Sequence, residues 1–217
     1  MGQKVFPFFC AVLFAICEPA SAANFTAEIA DQDGHPVANA VISLIPDAKA
    51  SMAAASTRLP GEKTIDQRNE TFIPLVTIIP KGGRIVFANN DQTTHQVYSF
   101  SPIKQFEITL ARGEKSPPFA FENAGVAALG CNIHDHMIAY AFVAESPWTA
   151  LTGADGRAVI AEAPPGNYQA QIWHPRFAPG REMPSLRVAV SGENTVLSVN
   201  VKLMPAPAMS HGHGGSY

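Results

Sequence analysis

A thiol, two imidazoles and a thioether fall within seven residues in Gly130-Cys131-Asn132-Ile133-His134-Asp135-His136-Met137. Taken alone, Cys131 has three readings: a buried inert core residue, the partner in an intermolecular disulfide, or a nucleophile or metal ligand. The neighbours favour the last. Cys-x-x-His-x-x-Met lets one short loop offer sulfur, nitrogen and a weak axial sulfur to one metal, but it lacks the second imidazole of a His₂Cys trigonal site. That imidazole has to come from another strand, and His95 is the candidate, with the polar run Asn89 to Thr94 before it and the alternating Gln96-Val97-Tyr98-Ser99-Phe100 after it. His136 has three roles open: a surface histidine beside the site, a hydrogen-bonding loop residue, or an axial nitrogen in place of Met137. Asp135 reads equally as a carboxylate supporting an imidazole or loop amide and as a solvated loop residue.

The elements that must carry these residues are strands. Helical periodicity is almost absent, and short β-branched and aromatic runs bounded by Gly, Pro, Asn and Asp recur along the chain, which predicts an all-β protein. Expected strands cover residues 25–29, 41–45, 76–79, 84–88, 96–100, 106–110, 119–121, 126–130, 138–143, 158–161, 168–173, 186–190 and 195–203. Residues 48–59, rich in Ala and Ser, read as a helical turn or linker. So many strands exceed one small sandwich and suggest two. The Asp33-Gly34 turn with its following strand, and the later Asp155-Gly156 and Pro165-Gly166 turns, are similar to the successive halves of a transthyretin-like or carboxypeptidase-regulatory-like sandwich. Two arrangements are open: a sandwich of residues 24–47 and 147–203 interrupted by a second β-domain at 60–145, or an N-terminal strand pair added to the middle domain's sheet with a separate C-terminal sandwich.

The segment from about Thr64 to Ala144 resembles the cupredoxins, the single-copper Greek-key β-sandwich family. More narrowly, the stretches around Gln67-Arg68-Asn69, His95 to Pro102 and Gly130 to Asp135 are similar to secreted bacterial methylamine utilisation and cupredoxin-domain proteins. The resemblance implies one copper ion with His95, Cys131 and His134 as equatorial ligands and Met137 as the long axial one. The residue types agree: thiolate, two imidazoles and a thioether suit copper in both oxidation states, whereas structural zinc sites usually draw on more thiolates and not on thioethers. Two departures stand out. Gln96 occupies the place where many cupredoxins carry an Asn that hydrogen-bonds across to the ligand loop, and His136 stands where related sequences often have an aromatic residue. The resemblance further implies single-electron transfer with a protein redox partner, His134 being the exit for the electron. Tyr98, Phe100 and Phe106 read as core or rim aromatics.

Composition bounds the alternatives. The 217 residues are 47% hydrophobic and 15% charged with a formal charge of −3, against about 25% charged in average usage. A core can form, and nucleic acid finds no basic stripe to track. No Gly-x-Ser-x-Gly elbow, phosphate-binding glycine loop or His-Glu-x-x-His occurs, so an enzyme is not expected. Residues 1–22 read as a secretory signal, with Lys4, an apolar run to Ile16 and small residues before Ala23; that run is too short to span a bilayer, and no other segment of the mature chain approaches the length needed. Its removal takes Cys10 and Cys17 and leaves Cys131 as the one thiol, in a periplasmic protein of open oligomeric state. His35 and His174 lie in apparent turns and read as surface residues. Residues 204–217 read as a flexible tail, either inert or capturing copper through Met209, His211 and His213. Two other functions remain open: copper storage or delivery with the same ligands, and a non-redox adhesion or binding module.

Overall fold

The computed structural model describes residues 23–47, 59–191 and 193–206, and every regular element among them is a β-strand. Sixteen strands form four sheets. β1 (Ala23–Ala30), β13 (Arg157–Ala163) and β16 (Thr195–Asn200) make one sheet, with β1 in the middle. It faces a second sheet in the order β12 (Thr149–Leu151), β2 (Val41–Pro46), β14 (Gly166–Trp173), β15 (Ser185–Val190). Between them in the chain lie the other two sheets. One has the order β5 (Val76–Pro80), β11 (Ile138–Ala144), β10 (Gly125–Gly130), β7 (His95–Ser101), β8 (Lys104–Leu110). Its mate runs β4 (Phe72–Ile73), β3 (Glu62–Gln67), β6 (Arg84–Asn89), β9 (Phe119–Ala120).

Alternation explains how the faces close. Along β7, His95, Val97 and Ser99 point inward while Gln96, Tyr98 and Phe100 point outward, the period-two pattern of a strand covered on one side. The inward residues of β3 to β11 share one core that includes Ile65, Phe87, Val97, Phe121 and Leu129 and also Cys131 and Met137. A second core unites Phe25, Ile42, Leu44, Trp148, Tyr168 and Ile172 from the flanking sheets. The two sandwiches meet in a third cluster, where Val41 packs with Val76, Phe142 and Ala144, and Trp173 lies edge-on to Tyr140 with ring centroids 5.4 Å apart. Val41–Pro46 pairs with Thr149–Leu151 on one side and with β14 on the other, and β1 pairs in parallel with β16.

The strand expectations differ from the structure in a few places. β3, β4 and β12 were not expected, because Glu62-Lys63-Thr64 hides the alternation of β3 behind exposed polar residues and the other two are only two and three residues long. The last strand stops at Asn200, where Val201 instead donates its amide to the Ala30 carbonyl. Residues 48–58 of the expected turn or linker lie outside the described residues, as do residues 1–22 and, in the tail, Met209, His211 and His213. Among the described residues no helix is long and apolar enough to cross a membrane.

Candidate metal centre

His95 opens β7 and is fully buried, a costly position for an imidazole unless its polar atoms are used. The loop before it is shaped by Asn89, whose side-chain amide donates to the carbonyls of Thr93 and Leu110 while its oxygen accepts the Asp91 amide. That arrangement places the Asp91 carboxylate 3.0 Å from His95 Nε2. Asp91 Oδ2 also accepts the Glu70 amide at 2.7 Å and Oδ1 accepts the Gln92 amide at 2.8 Å. With the Glu70 amide as the largest influence, the Asp91 carboxyl is lowered to about 2. An ionised carboxylate only accepts, so Nε2 of His95 is the donor, and in the neutral ring the lone pair resides on Nδ1. Nδ1 lies 3.8 Å from Cys131 Sγ.

Cys131 follows directly on β10, whose last residue, Gly130, leaves room for the Tyr98 ring. A Cβ on Gly130 would sit 2.6 Å from the Tyr98 ring, which lies across it from the neighbouring strand. The chain then turns back into β11 through a short loop closed by the Met137 amide on the His134 carbonyl. Cys131 and Met137 are buried in the same core cluster, whereas Asp135 and His136 face outward. His134 lies between, with 21% of its side chain exposed and its ring centroid 5.1 Å from that of His95. Its Nδ1 is buried with no hydrogen-bond partner among the described residues, and its Nε2 faces Glu70 Oε1 at 3.4 Å. One ligand atom from each of His95, Cys131 and His134 lies within 4.8 Å of the others.

Both imidazoles therefore turn Nε2 to a carboxylate and leave a buried Nδ1, that of His95 beside the Cys131 sulfur. Metal-bound histidines characteristically donate the other ring nitrogen to a carboxylate or carbonyl, which fixes tautomer and orientation. The donor set fits a soft transition metal: one thiolate and two imidazoles, with a thioether in the same core.

The remaining sequence-selected residues are dispersed around this centre. Asp135 lines an open cleft of about 290 Å³ with Cys131, Met137 and Tyr98. His136 is 57% exposed and its Nε2 lies 3.8 Å from Glu70 Oε2. Gln96 is half-buried opposite Thr109, and no hydrogen bond joins its side chain to the Cys131 loop. Phe106 packs on the core, but Phe100 is 70% exposed. His174 is not a surface residue: it is buried, with Nε2 donating to the Ala38 carbonyl and Nδ1 accepting the Arg176 amide, which completes its hydrogen bonding. Asp91 and Glu70 escaped sequence reasoning. The spacing of Asp91 four residues before His95 was a legible signal, while Glu70 comes from a distant hairpin with no local cue.

No protein-family model matches the sequence, and no curated protein sequence does. Solved structures do. The chain is similar to a purple cupredoxin from Nitrosopumilus maritimus at 22% identity, with 37% of this chain and 98% of that one covered and a TM-score of 0.34. A reduced Cu(I) form of an amicyanin variant is 15% identical over 48% of this chain and 98% of its own, with a TM-score of 0.35. A copper-containing nitrite reductase from Thermus scotoductus is 24% identical over 38% of this chain and 22% of its own, with a TM-score of 0.36. Such partial overlaps assign no residue a role. These likenesses, to a purple cupredoxin, amicyanin variants and a nitrite reductase, extend over a third to a half of the chain.

Proposed function

We propose that this protein is a periplasmic carrier of single electrons, not an enzyme, with one copper ion held by His95, Cys131, His134 and Met137. The observation that carries the reading is the pair of inward Nδ1 atoms. One lies 3.8 Å from Cys131 Sγ, and the other is buried without a partner among the described residues, in a site whose three ligand atoms lie within 4.8 Å. Bound there, copper would supply a one-electron couple.

What the chain contributes is rigidity and access. His95 is held by Asp91 and by packing on every side, and Cys131 and Met137 sit in the sandwich core, so the donor groups need little rearrangement when charge changes. The Cys131 to Met137 loop is covered from water on its inner side. At the surface the partly exposed His134 provides the edge through which an electron passes, and the exposed Ile133 on the same loop and Ile138 at the start of β11 offer apolar area to a protein redox partner. The same reading takes residues 60–145 as a cupredoxin domain inserted into a transthyretin-like sandwich of residues 24–47 and 147–203, a division supported by the pairing of β2 with β12 and β14. It takes residues 1–22 as the export signal.

The test is a Cu(II) titration of the protein followed by visible spectra and cyclic voltammetry, repeated with Cys131→Ser. Saturation at one equivalent, an intense thiolate-to-copper band and a reversible wave, all lost in Cys131→Ser, are expected. Tight Cu(I) binding without a reversible wave would replace electron transfer with copper storage or delivery.

A further inference from the structure

The hairpin between β3 and β4 is unusual. Arg68 and Thr71 exchange both backbone hydrogen bonds, at 3.0 and 3.1 Å, around a two-residue turn formed by Asn69 and Glu70. Both turn residues have positive φ, 50° and 53°. Such turns favour Asn followed by Gly, because the left-handed conformation costs a residue with a longer side chain. Here glutamate occupies the glycine position. Strain of this kind persists where the surroundings over-determine it, and it marks places of functional interest.

The contacts of Glu70 reach both imidazoles of the centre. Its amide donates to Asp91 Oδ2, the oxygen that accepts from His95 Nε2. Its carboxylate oxygens face His134 Nε2 at 3.4 Å and His136 Nε2 at 3.8 Å. His95, at the start of β7, and His134, in the loop after β10, lie far apart in the chain, and one residue from a third element spans them on the outside. The hairpin itself is pinned to the His95 loop: Asn90 donates its amide to the Gln67 carbonyl at 3.0 Å and its side chain to Asp66 Oδ1 at 2.7 Å.

We infer that Glu70 is a positioning residue for both histidines, its carboxylate orienting His134 and its amide fixing the Asp91 carboxylate that orients His95. It supplies the tie between the two ligand loops that Gln96 does not make. The inference rests on the copper reading for its consequence, but the orientation of the rings is a property of the metal-free protein. Because the amide contact is made by the backbone, the side chain can be removed while that link stays.

Glu70→Gly is the decisive variant, since it relieves the backbone and deletes the carboxylate. The expected result is opposite signs: a melting temperature of the metal-free protein equal to wild type or raised by roughly 1–4 °C, and Cu(I) affinity, measured by competition with a chromophoric chelator, lowered about 10–100-fold. Glu70→Gln, which keeps an acceptor oxygen, should recover part of the affinity. In the metal-free protein the ring resonances of His134 should shift or broaden in Glu70→Gly. Wild-type copper affinity together with unmoved His134 resonances would overturn the assignment, as would affinity and melting temperature falling together with no recovery in Glu70→Gln. If wild type binds no copper, the copper reading falls by itself, and the ring resonances still decide whether Glu70 positions the histidine.

Discussion

The two sandwiches are built from the same kind of strand but treat their buried polar groups in opposite ways. In the flanking sandwich they close on one another. Thr152 Oγ1 donates to the Val37 carbonyl and accepts the Ala40 amide, Ser43 bonds Thr149, Ser146 donates to the Leu44 carbonyl, and both nitrogens of His174 are used. Trp148 Nε1 is the exception among its described residues. In the middle sandwich three buried side-chain atoms, Gln67 Oε1, Thr77 Oγ1 and His134 Nδ1, have no hydrogen-bond partner among the described residues, and two consecutive non-glycine turn residues adopt positive φ. Closed networks fix a fold, whereas open donor atoms held in place by their neighbours mark where something else binds.

Breaking the closed side should cost the most stability and leave the open side untouched. Gly156 has φ of 73°, and a Cβ there would meet the Ile29 carbonyl oxygen at 2.5 Å. Gly156→Ala should therefore destabilise the protein by on the order of 3 kcal/mol, read by denaturant unfolding. The copper spectrum of the protein that remains folded should match wild type; a changed spectrum would mean that the flanking sandwich shapes the centre.

Acid should separate the two sides next. Burial lowers the pKa of His174 from its ordinary 6.5, with Arg176 adding to the effect against the Ala38 hydrogen bond. The folded state thus prefers the neutral ring, and the stability it contributes is present above about pH 6.5 and lost as pH falls through the lowered value. Asp91, lowered from 3.8 to about 2, contributes stability that persists to about pH 4 and is lost only below it. Melting temperatures of the metal-free protein should fall first in the His174 window and then in the Asp91 window. His174→Gln should flatten the first fall and Asp91→Asn the second; a single fall unaffected by His174→Gln would erase this contrast.

The smallest effect concerns His136. Exposed, and reaching Glu70 only at 3.8 Å, it should be replaceable by alanine with less than a twofold change in copper affinity and no change in the Cu(II) paramagnetic resonance spectrum. Met137→Leu should change that spectrum, since Met137 lies in the core with Cys131. The reverse pattern would make His136 the axial group.

The grouping of His95, Cys131 and His134 could be read from the chain because Cys131 and His134 share one short loop, and His95 stands at a sharp change from polar turn to alternating strand. The outer partners could not. Asp91 looks like any loop acid until Asn89 is seen to fold the loop around it, and Glu70 acquires its place only through the pairing of β3 with β4 and β6. The all-β class followed from the recurring short apolar runs. β3 escaped because its outward residues are charged at an exposed end, and His174 was misplaced because a turn-like sequence, Trp173-His174-Pro175, is roofed by Ala38 from another part of the chain.

The pairing of β1 bears on how the protein is made. Phe25 to Ala30 lies between two strands, one of which, β16, comes last in chain order among the described strands. Strands β3 to β11 contain all the partners their own sheets need, so they can fold while the chain is still emerging. β1 and β2 must wait with open edges until residues 149–200 arrive, and such long-range pairings form slowly. The Cys131 to Met137 loop is thus complete early and the flanking sheets close last. Over that interval β1 and β2 are the segments with most need of protection from pairing with another chain.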